Sequence, residues 1–177
     1  PPVAGTVSAT GLANGDVDEP ISWTSQELLT RIGNVFQDPE HQFVAATVRD
    51  ELAIGPRAIG LPEHEIDARI VYLAARLRLD KLLAANPFTL SGGEKRRLSV
   101  GTVLATRPPL VILDEPTFGQ DSRTWQELVA LLAELLDEGT SIVAVTHDAE
   151  FIAAIADHEL RLAAPAVARR DDAEPGR

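Results

Sequence analysis

The stretch Leu110-Val-Ile-Leu-Asp114-Glu-Pro-Thr117 decides the fold that this sequence predicts. Its first four residues form an apolar run, which is typical of a parallel β-strand buried on both faces. The run ends in two adjacent carboxylates, and α/β proteins bind ligands at the carboxyl ends of such strands. Because neighbouring acids repel each other, stability alone does not favour the pair Asp114 and Glu115. The alternative interpretation is a strand followed by a capped turn, where Asp and Glu are also common.

Strands and helices alternate on both sides of this stretch, which predicts an α/β fold with a parallel sheet. The helical pattern between about residues 40 and 105 predicts a separate lobe inserted between strands. The predicted strands are 5–8, 34–36, 110–113, 141–145 (a second buried strand) and 160–162, with a turn at Asn14-Gly15. The predicted helices are 25–31 capped by Ser25, several within 44–83, 91–104, 124–137 and 149–156.

The second informative stretch is Leu90-Ser91-Gly-Gly-Glu-Lys-Arg-Arg97, which predicts the start of a helix. Ser91 and Glu94 have the spacing of a capping box, in which each side chain satisfies an orphan backbone amide. Capping does not explain Gly92 and Gly93, since each glycine in a helix costs about 1 kcal/mol relative to alanine. Glycines at a helix N-terminus leave its free N–H groups accessible to phosphate oxygens. The stretch therefore indicates a phosphate site, with the three following cations just behind it.

Two single residues follow predicted strands and are weaker signals. His147 comes after Val143-Ala-Val145, where it could donate a hydrogen bond to a terminal phosphate, although a lone histidine there is more often structural. Gln37 follows the predicted strand 34–36 and is uninformative by itself. The remaining histidines have no metal-ligand spacing, and we expect them at the surface or in packing: His41, His64 and His158.

The composition excludes several classes of protein. The 177 residues contain 16 Lys and Arg against 27 Asp and Glu, a net charge of −11, whereas general nucleic-acid binders carry surplus cations. The absence of cysteine excludes disulfides, zinc–cysteine sites and thiol catalysis. No apolar run approaches the roughly 18 residues of a membrane span, so any membrane role is expected to come through a partner.

Taken in order, these residues resemble the ATP-binding-cassette ATPases. Gln37 matches the Q-loop of that family, and Leu90–Glu94 matches its signature motif. Leu110–Glu115 is similar to the Walker B strand with its catalytic Glu. Phe118-Gly119-Gln-Asp121 matches the D-loop, and His147 the switch histidine. The resemblance covers nearly the whole chain and implies a RecA-like P-loop NTPase fold that binds ATP and Mg²⁺.

The resemblance also implies roles for these residues. In the family, two ATPase domains pair head to tail and sandwich two ATP molecules. The residues implied to contact ATP or to link its two sites are Gln37, Ser91, Gly92, Gly93, Glu94, Asp114, Gly119 and Asp121. Asp114 and Gln37 would organise Mg²⁺ and water, Glu115 would act as the catalytic base, and His147 would sense the γ-phosphate.

A narrower resemblance is to the ATPase subunits of energy-coupling-factor importers of vitamins and cobalt. It rests on Val35–Phe43, Thr47–Leu52 and Gly55-Pro56. Asn86–Ser91 and Glu115–Trp125 are similar to the second half of tandem ATPase proteins, some of which are linked to thiamine precursors. This resemblance implies a peripheral protein at the cytoplasmic face of the membrane. Its partners would be a second ATPase domain, in a homodimer, a heterodimer or one tandem chain, and a membrane coupling subunit on the helical lobe.

The phosphate-binding loop of that family, Gly-x-x-x-x-Gly-Lys-Ser/Thr, does not occur in the sequence, whose lysines are Lys81 and Lys95. We therefore expect residues 1–162 to be an ATPase domain truncated at its N-terminus, a C-terminal fragment that does not hydrolyse ATP alone. Residues 163–177 are expected to be a disordered tail. Sheet edges left open by a missing strand invite association, so we expect marginal stability.

Three functions remain open at this point. The first is the ATP-hydrolysing motor of a vitamin or metal importer. The second is a catalytically incompetent domain that lends its signature motif to a partner ATPase, although the intact Glu115 and His147 disfavour it. The third is a DNA-repair ATPase, which the short stretch Phe43–Leu90 disfavours because those enzymes carry long heptad insertions there.

Overall fold

The computed structural model describes residues 4–12, 19–36 and 38–162. Six α-helices and three β-strands lie in these ranges. In chain order they are α1 (Ser25–Arg31), β1 (Ile32–Val35), α2 (Val48–Ala58), α3 (Glu63–Arg76), α4 (Gly92–Leu104), β2 (Leu110–Asp114), α5 (Ser122–Asp137), β3 (Ser141–Val145) and α6 (Ala149–Ile155). Short 3-10 turns lie at Pro20–Ser22, Pro39–Gln42, Asp80–Leu82 and Pro87–Thr89.

The three strands form a parallel sheet with β2 in the middle, which confirms the predicted fold class. Ile32 of β1 lies opposite Leu110 of β2, and Leu110 lies opposite Ser141 of β3. Val111 and Leu113 of β2 are fully buried and join the main hydrophobic core. The carboxyl ends of all three strands therefore meet at one edge of the sheet.

Three of the helices lie in the chain between β1 and β2. Helix α4 packs closely across α2, and its Gly101 makes this approach possible. A methyl group on Gly101 would lie 2.9 Å from Leu52 Cδ2 and 3.0 Å from Leu77 Cδ1. The first distance is shorter than real Cβ contacts and the second is tight, so a larger residue here would force Leu52 or Leu77 to shift within the lobe formed by α2, α3 and α4.

Several predicted elements differ from the structure. Thr24 caps α1, not Ser25, because the Thr24 hydroxyl and Glu27 form the reciprocal bonds of a capping box. Residues 5–8 and 160–162 are not strands, since no neighbouring strand of the described part pairs with them. The proposed turn at Asn14-Gly15 and the tail 163–177 lie outside the described residues. In the described ranges, no helix has both the length and the apolar character needed to cross a bilayer.

Strand β3 has the predicted bounds, but the prediction that it is buried is wrong. Val143 and Val145 are 53% and 61% exposed. Within the described residues β3 pairs only with β2, and α5 is the helix that packs against it. One edge and one face of β3 therefore remain open.

Candidate functional site

Glu115 leaves the sheet directly after β2 in an unusual backbone conformation. Its φ of +48° lies in the left-handed region, which non-glycine residues seldom adopt. The Glu115 N–H donates a hydrogen bond of 2.9 Å to the carbonyl of Val145 at the end of β3. This bond extends the strand ladder by one residue and holds the strained turn. Such strain is typical of functional positions.

The side chain of Glu115 pairs with His147, so the ends of β2 and β3 bring these two residues together. Glu115 Oε1 lies 2.8 Å from His147 Nδ1, and Glu115 Oε2 accepts a bond of 3.3 Å from the Thr146 hydroxyl. The Glu115 side chain is 19% exposed and that of His147 is 78% exposed. The hydrogen bond and charge of Glu115 raise the pKa of His147 above its ordinary value. Glu115 therefore stabilises the protonated imidazole relative to that of a free histidine, while the ring stays largely open to solvent.

Asp148 fixes the turn behind this pair, and the sequence reasoning did not single it out. Its Oδ2 accepts bonds of 2.8 Å from the Thr117 hydroxyl and from the Trp125 indole N–H. Its Oδ1 accepts from the N–H groups of Glu150 and Phe151 and so caps α6. Burial favours the neutral acid, but these donors together hold the pKa of Asp148 below its ordinary value. An Asp directly before a helix is the signal that could have identified it.

The predicted phosphate turn forms the N-terminus of α4. Ser91 caps the helix, and its capping box with Glu94 is complete, as predicted. Hydrogen bonds from the Ser91 hydroxyl and N–H lower the pKa of Glu94. A methyl group on Gly92 would meet nothing within 4 Å, and one on Gly93 would make only ordinary contacts from 3.5 Å. Packing within the described chain therefore does not require either glycine.

The loop 118–121 lies against this turn. Gly119 has a φ of +71°, and the neighbouring Gln120 amide donates a bond of 3.4 Å to the Gly93 carbonyl. Asp121 caps α5 by accepting from the N–H groups of Arg123 and Thr124. Its pKa is lowered by the N–H and hydroxyl of Thr124. Two of the predicted motifs thus form one cluster at the start of α4.

The predicted cations behind the phosphate turn are not all directed at it. Arg96 is only 4% exposed, and its Nη1 donates to the carbonyls of Phe36 at 2.8 Å and Asp114 at 3.1 Å. Burial lowers the pKa of Arg96. Arg97 instead turns toward Gln120, with its Nη1 at 3.5 Å from the amide oxygen. Periodicity could not reveal these contacts, because they join parts of the chain far apart in sequence.

The residues suggested for Mg²⁺ are Asp114 and Gln37. Asp114 lies half-buried at the end of β2, and Gln37 lies outside the described residues. Among the described residues, no group of three or more His, Cys, Asp or Glu could hold a metal ion. Mg²⁺ commonly binds through one or two carboxylates together with substrate phosphates. The single carboxylate of Asp114 fits that kind of site and does not fit a metal cage built from protein ligands alone.

Comparisons with known proteins agree on one family. Residues 2–118 match a family model described as "ABC transporter". A putative HMP/thiamine import ATP-binding protein of Bacillus subtilis, YkoD, is 42% identical over 146 residues, which are 82% of this chain and 26% of that protein. The energy-coupling factor transporter ATP-binding protein EcfA1 of Halalkalibacterium halodurans is 36% identical over 147 residues, which are 83% of this chain and 51% of that protein.

A solved structure of similar fold is cbiO1 from Clostridium perfringens, which is part of the ABC transporter complex cbiONQ. It has 35% sequence identity and a TM-score of 0.60, and the match covers 74% of this chain and 54% of cbiO1. The chain spans about a quarter to about half the length of these three proteins.

Proposed function

The chain belongs to the ABC transporter family, and from this premise we propose that it is part of the ATP-binding and ATP-hydrolysing motor of a membrane importer. The observation that carries the proposal is the Glu115–His147 hydrogen bond of 2.8 Å at the carboxyl edge of the sheet. It places a carboxylate and an imidazole side by side where ligands bind in parallel α/β folds.

In this proposal Glu115 orients and deprotonates the water that attacks the terminal phosphate of ATP. His147 Nδ1 is occupied by Glu115 Oε1, so its other ring nitrogen, Nε2, is left to face the phosphate. The raised pKa of His147 favours a proton on Nε2, which can then donate to a phosphate oxygen. The strained turn at Glu115 keeps the carboxylate beside this donor.

The open turn at Gly92 and Gly93 supports a second part of the proposal. Neither glycine is explained by contacts within the described chain, and α4 directs its free N–H groups outward at this turn. We assign this turn to the γ-phosphate of an ATP held by an opposing ATPase domain. Ser91 and Glu94 hold the turn in shape, and Asp121 fixes the adjoining loop.

Magnesium would be held by Asp114 and Gln37 together with the nucleotide, and when bound it neutralises phosphate charge. The partner domain, the membrane subunit and the peripheral position at the cytoplasmic face belong to the same proposal. The functions named for the relatives YkoD and EcfA1 support an importer of the energy-coupling-factor kind. We propose a vitamin-type or metal-type micronutrient as the cargo.

The test is Glu115→Gln in the protein assembled with its partner ATPase domain and membrane subunits. We expect ATP hydrolysis to fall by about 10²-fold or more, while ATP binding is retained because the carboxylate is not a binding group. Glu138→Gln is the matched control, since Glu138 is exposed and lies at the other end of the sheet, beside Gly139. Unchanged hydrolysis in Glu115→Gln would remove Glu115 from the role of base.

A further inference from the structure

Arg96 joins the two chain segments that lead into the site. It lies in the second turn of α4, and one nitrogen of its buried guanidinium bonds to two carbonyls, those of Phe36 and Asp114. The first carbonyl belongs to the peptide bond that enters Gln37, and the second to the peptide bond that enters Glu115. A single side chain on α4 thus holds the ends of both β1 and β2.

A charge at this position has a cost that packing alone does not justify. Removing a guanidinium from water is expensive unless it is paired and hydrogen-bonded, and an apolar side chain would fill the same volume without that cost. The carboxylates of Asp114, Asp38 and Glu115 lie near enough to Arg96 to favour its charged form. The directed hydrogen bonds of the guanidinium, rather than packing, therefore account for a charged side chain at this position.

A second side chain of α4 bonds to Gln42, a few residues beyond Phe36. Ser99, which is fully buried, donates its hydroxyl proton to Gln42 Oε1. The Gln42 amide in turn donates a bond of 3.2 Å to the Asn34 carbonyl on β1. Arg96 and Ser99 are three positions apart, so they lie on the same side of α4. Phe36 and Gln42 are thereby both bonded to side chains on one face of this helix.

We propose that Arg96 is a positioning residue, which fixes the Glu115 turn and Phe36, the residue after β1, relative to the glycine turn of α4. Through Arg96, a displacement of α4 is transmitted to both segments at once. The inference rests on the proposed function only for the roles of Glu115 and Gln37, and the contacts themselves are independent of it.

The test uses the full 177-residue chain without nucleotide and the variants Arg96→Lys and Arg96→Gln. The readout is the pKa of the His147 imidazole, followed by NMR titration. The charged groups that raise the pKa of His147 are Glu115 at the end of β2 and Asp148 at the start of α6. The matched control is Arg69→Lys, because Arg69 Nη1 also donates to a backbone carbonyl, that of Ala105, at 2.8 Å.

We expect both Arg96 variants to lose the elevation of the His147 pKa, since a released Glu115 turn no longer keeps its carboxylate beside the ring. Lysine keeps the charge but cannot reproduce the planar, directed donors of arginine. The removal of a cation in Arg96→Gln would by itself raise the His147 pKa. A fall in this pKa would therefore report the displaced Glu115 carboxylate and not the lost charge. Arg69→Lys should leave the elevation intact.

An unchanged or raised His147 pKa in both Arg96 variants would overturn the proposal. So would loss of the helical circular dichroism in Arg96→Lys but not in Arg69→Lys, because Arg96 would then serve overall stability. Neither result depends on ATP, so failure of this inference is distinguishable from failure of the proposed hydrolysis, which the Glu115→Gln assay tests.

Discussion

Glu115 combines a left-handed backbone, a carbonyl partner on β3 and a carboxylate directed at His147. A β-carbon in this conformation carries a steric cost, which glycine would avoid. The left-handed backbone at Glu115 therefore lowers local stability and directs the carboxylate at His147. At the scale of single residues, the site is defined by such placements rather than by tight packing.

The pairing of Glu115 with His147 makes a prediction about pH. Because Glu115 raises the pKa of His147, the ion pair contributes stability fully below about pH 6.5, the ordinary histidine value, and loses it as the pH rises through the elevated value. Glu115→Gln should return the His147 pKa toward that ordinary value. An NMR titration of the imidazole checks this, and His158, which is exposed, serves as the internal reference.

Asp148→Ala should destabilise the chain by about 2 kcal/mol, since it removes a helix cap and the acceptor of two side-chain donors. The lowered pKa of Asp148 means that this stability is present above the ordinary aspartate pKa and is lost as the pH falls through the lowered value. Urea unfolding at neutral and acidic pH measures both effects. Asp157→Ala, at an exposed position, should change little, and equal losses in the two variants would contradict the assignment.

At the scale of elements, α4 connects more of the molecule than any other helix described above. It begins with the glycine turn, contacts the end of both β1 and β2 through Arg96, and packs on α2 at Gly101. Its two ends thus serve different purposes. The first turn is open, while the later turns are closely packed.

Two glycines of α4 should therefore respond in opposite ways to alanine. Gly92→Ala should raise the free energy of unfolding by about 0.5 kcal/mol or more, since the added methyl meets nothing and the backbone gains helix propensity. Gly101→Ala should lower it by about 1–3 kcal/mol because of the clash with Leu52 and Leu77. Thermal melts of the two variants provide the measurement.

The same substitution at Gly92 should impair ATP hydrolysis in the assembled protein if the turn approaches a phosphate. If Gly92→Ala is more stable but hydrolyses ATP more slowly, the glycine serves a ligand and not the fold. Full activity in Gly92→Ala would show that this glycine is not needed by a ligand.

At the scale of the whole molecule, the sheet of the described residues ends at β3 with an open edge and an open face. Val143 and Val145 present apolar surface there, and unpaired strand edges template pairing with other chains. The exposed surface lies on the strand that also leads into His147. A chain that pairs with this edge of β3 would therefore also affect access to His147.

Val143→Lys should reduce self-association of the chain, because a charge on an open strand opposes edge-to-edge pairing. The loss of folding stability should be small, within about 0.5 kcal/mol, since Val143 is largely exposed. Sedimentation velocity over a range of concentrations measures the association. The comparison variant is Val71→Lys on the exposed surface of α3, which should leave association unchanged.

The sequence correctly predicted the features that depend on a local pattern. The capping box of Ser91 and the bounds of β3 follow from residues within a few positions of each other, and both agree with the structure. The exposure of Val143 and the contacts of Arg96 depend on which segments lie alongside, and no local pattern contains that information. The roles of Gln37, Asp114 and Asp121 toward a nucleotide remain predictions.

The register of the sheet also predicts the order in which its strands assemble during folding. Ile32 pairs with Leu110 across the whole helical lobe, whereas Leu110 pairs with Ser141 across α5 alone. The first connection is more than twice as long, and each doubling of a loop adds about 0.6 kcal/mol to its closure entropy. The unit β2–α5–β3 should therefore assemble before β1 docks, so that during folding the ends of β2 and β3 meet before Arg96 of the lobe fixes the Glu115 turn beside His147.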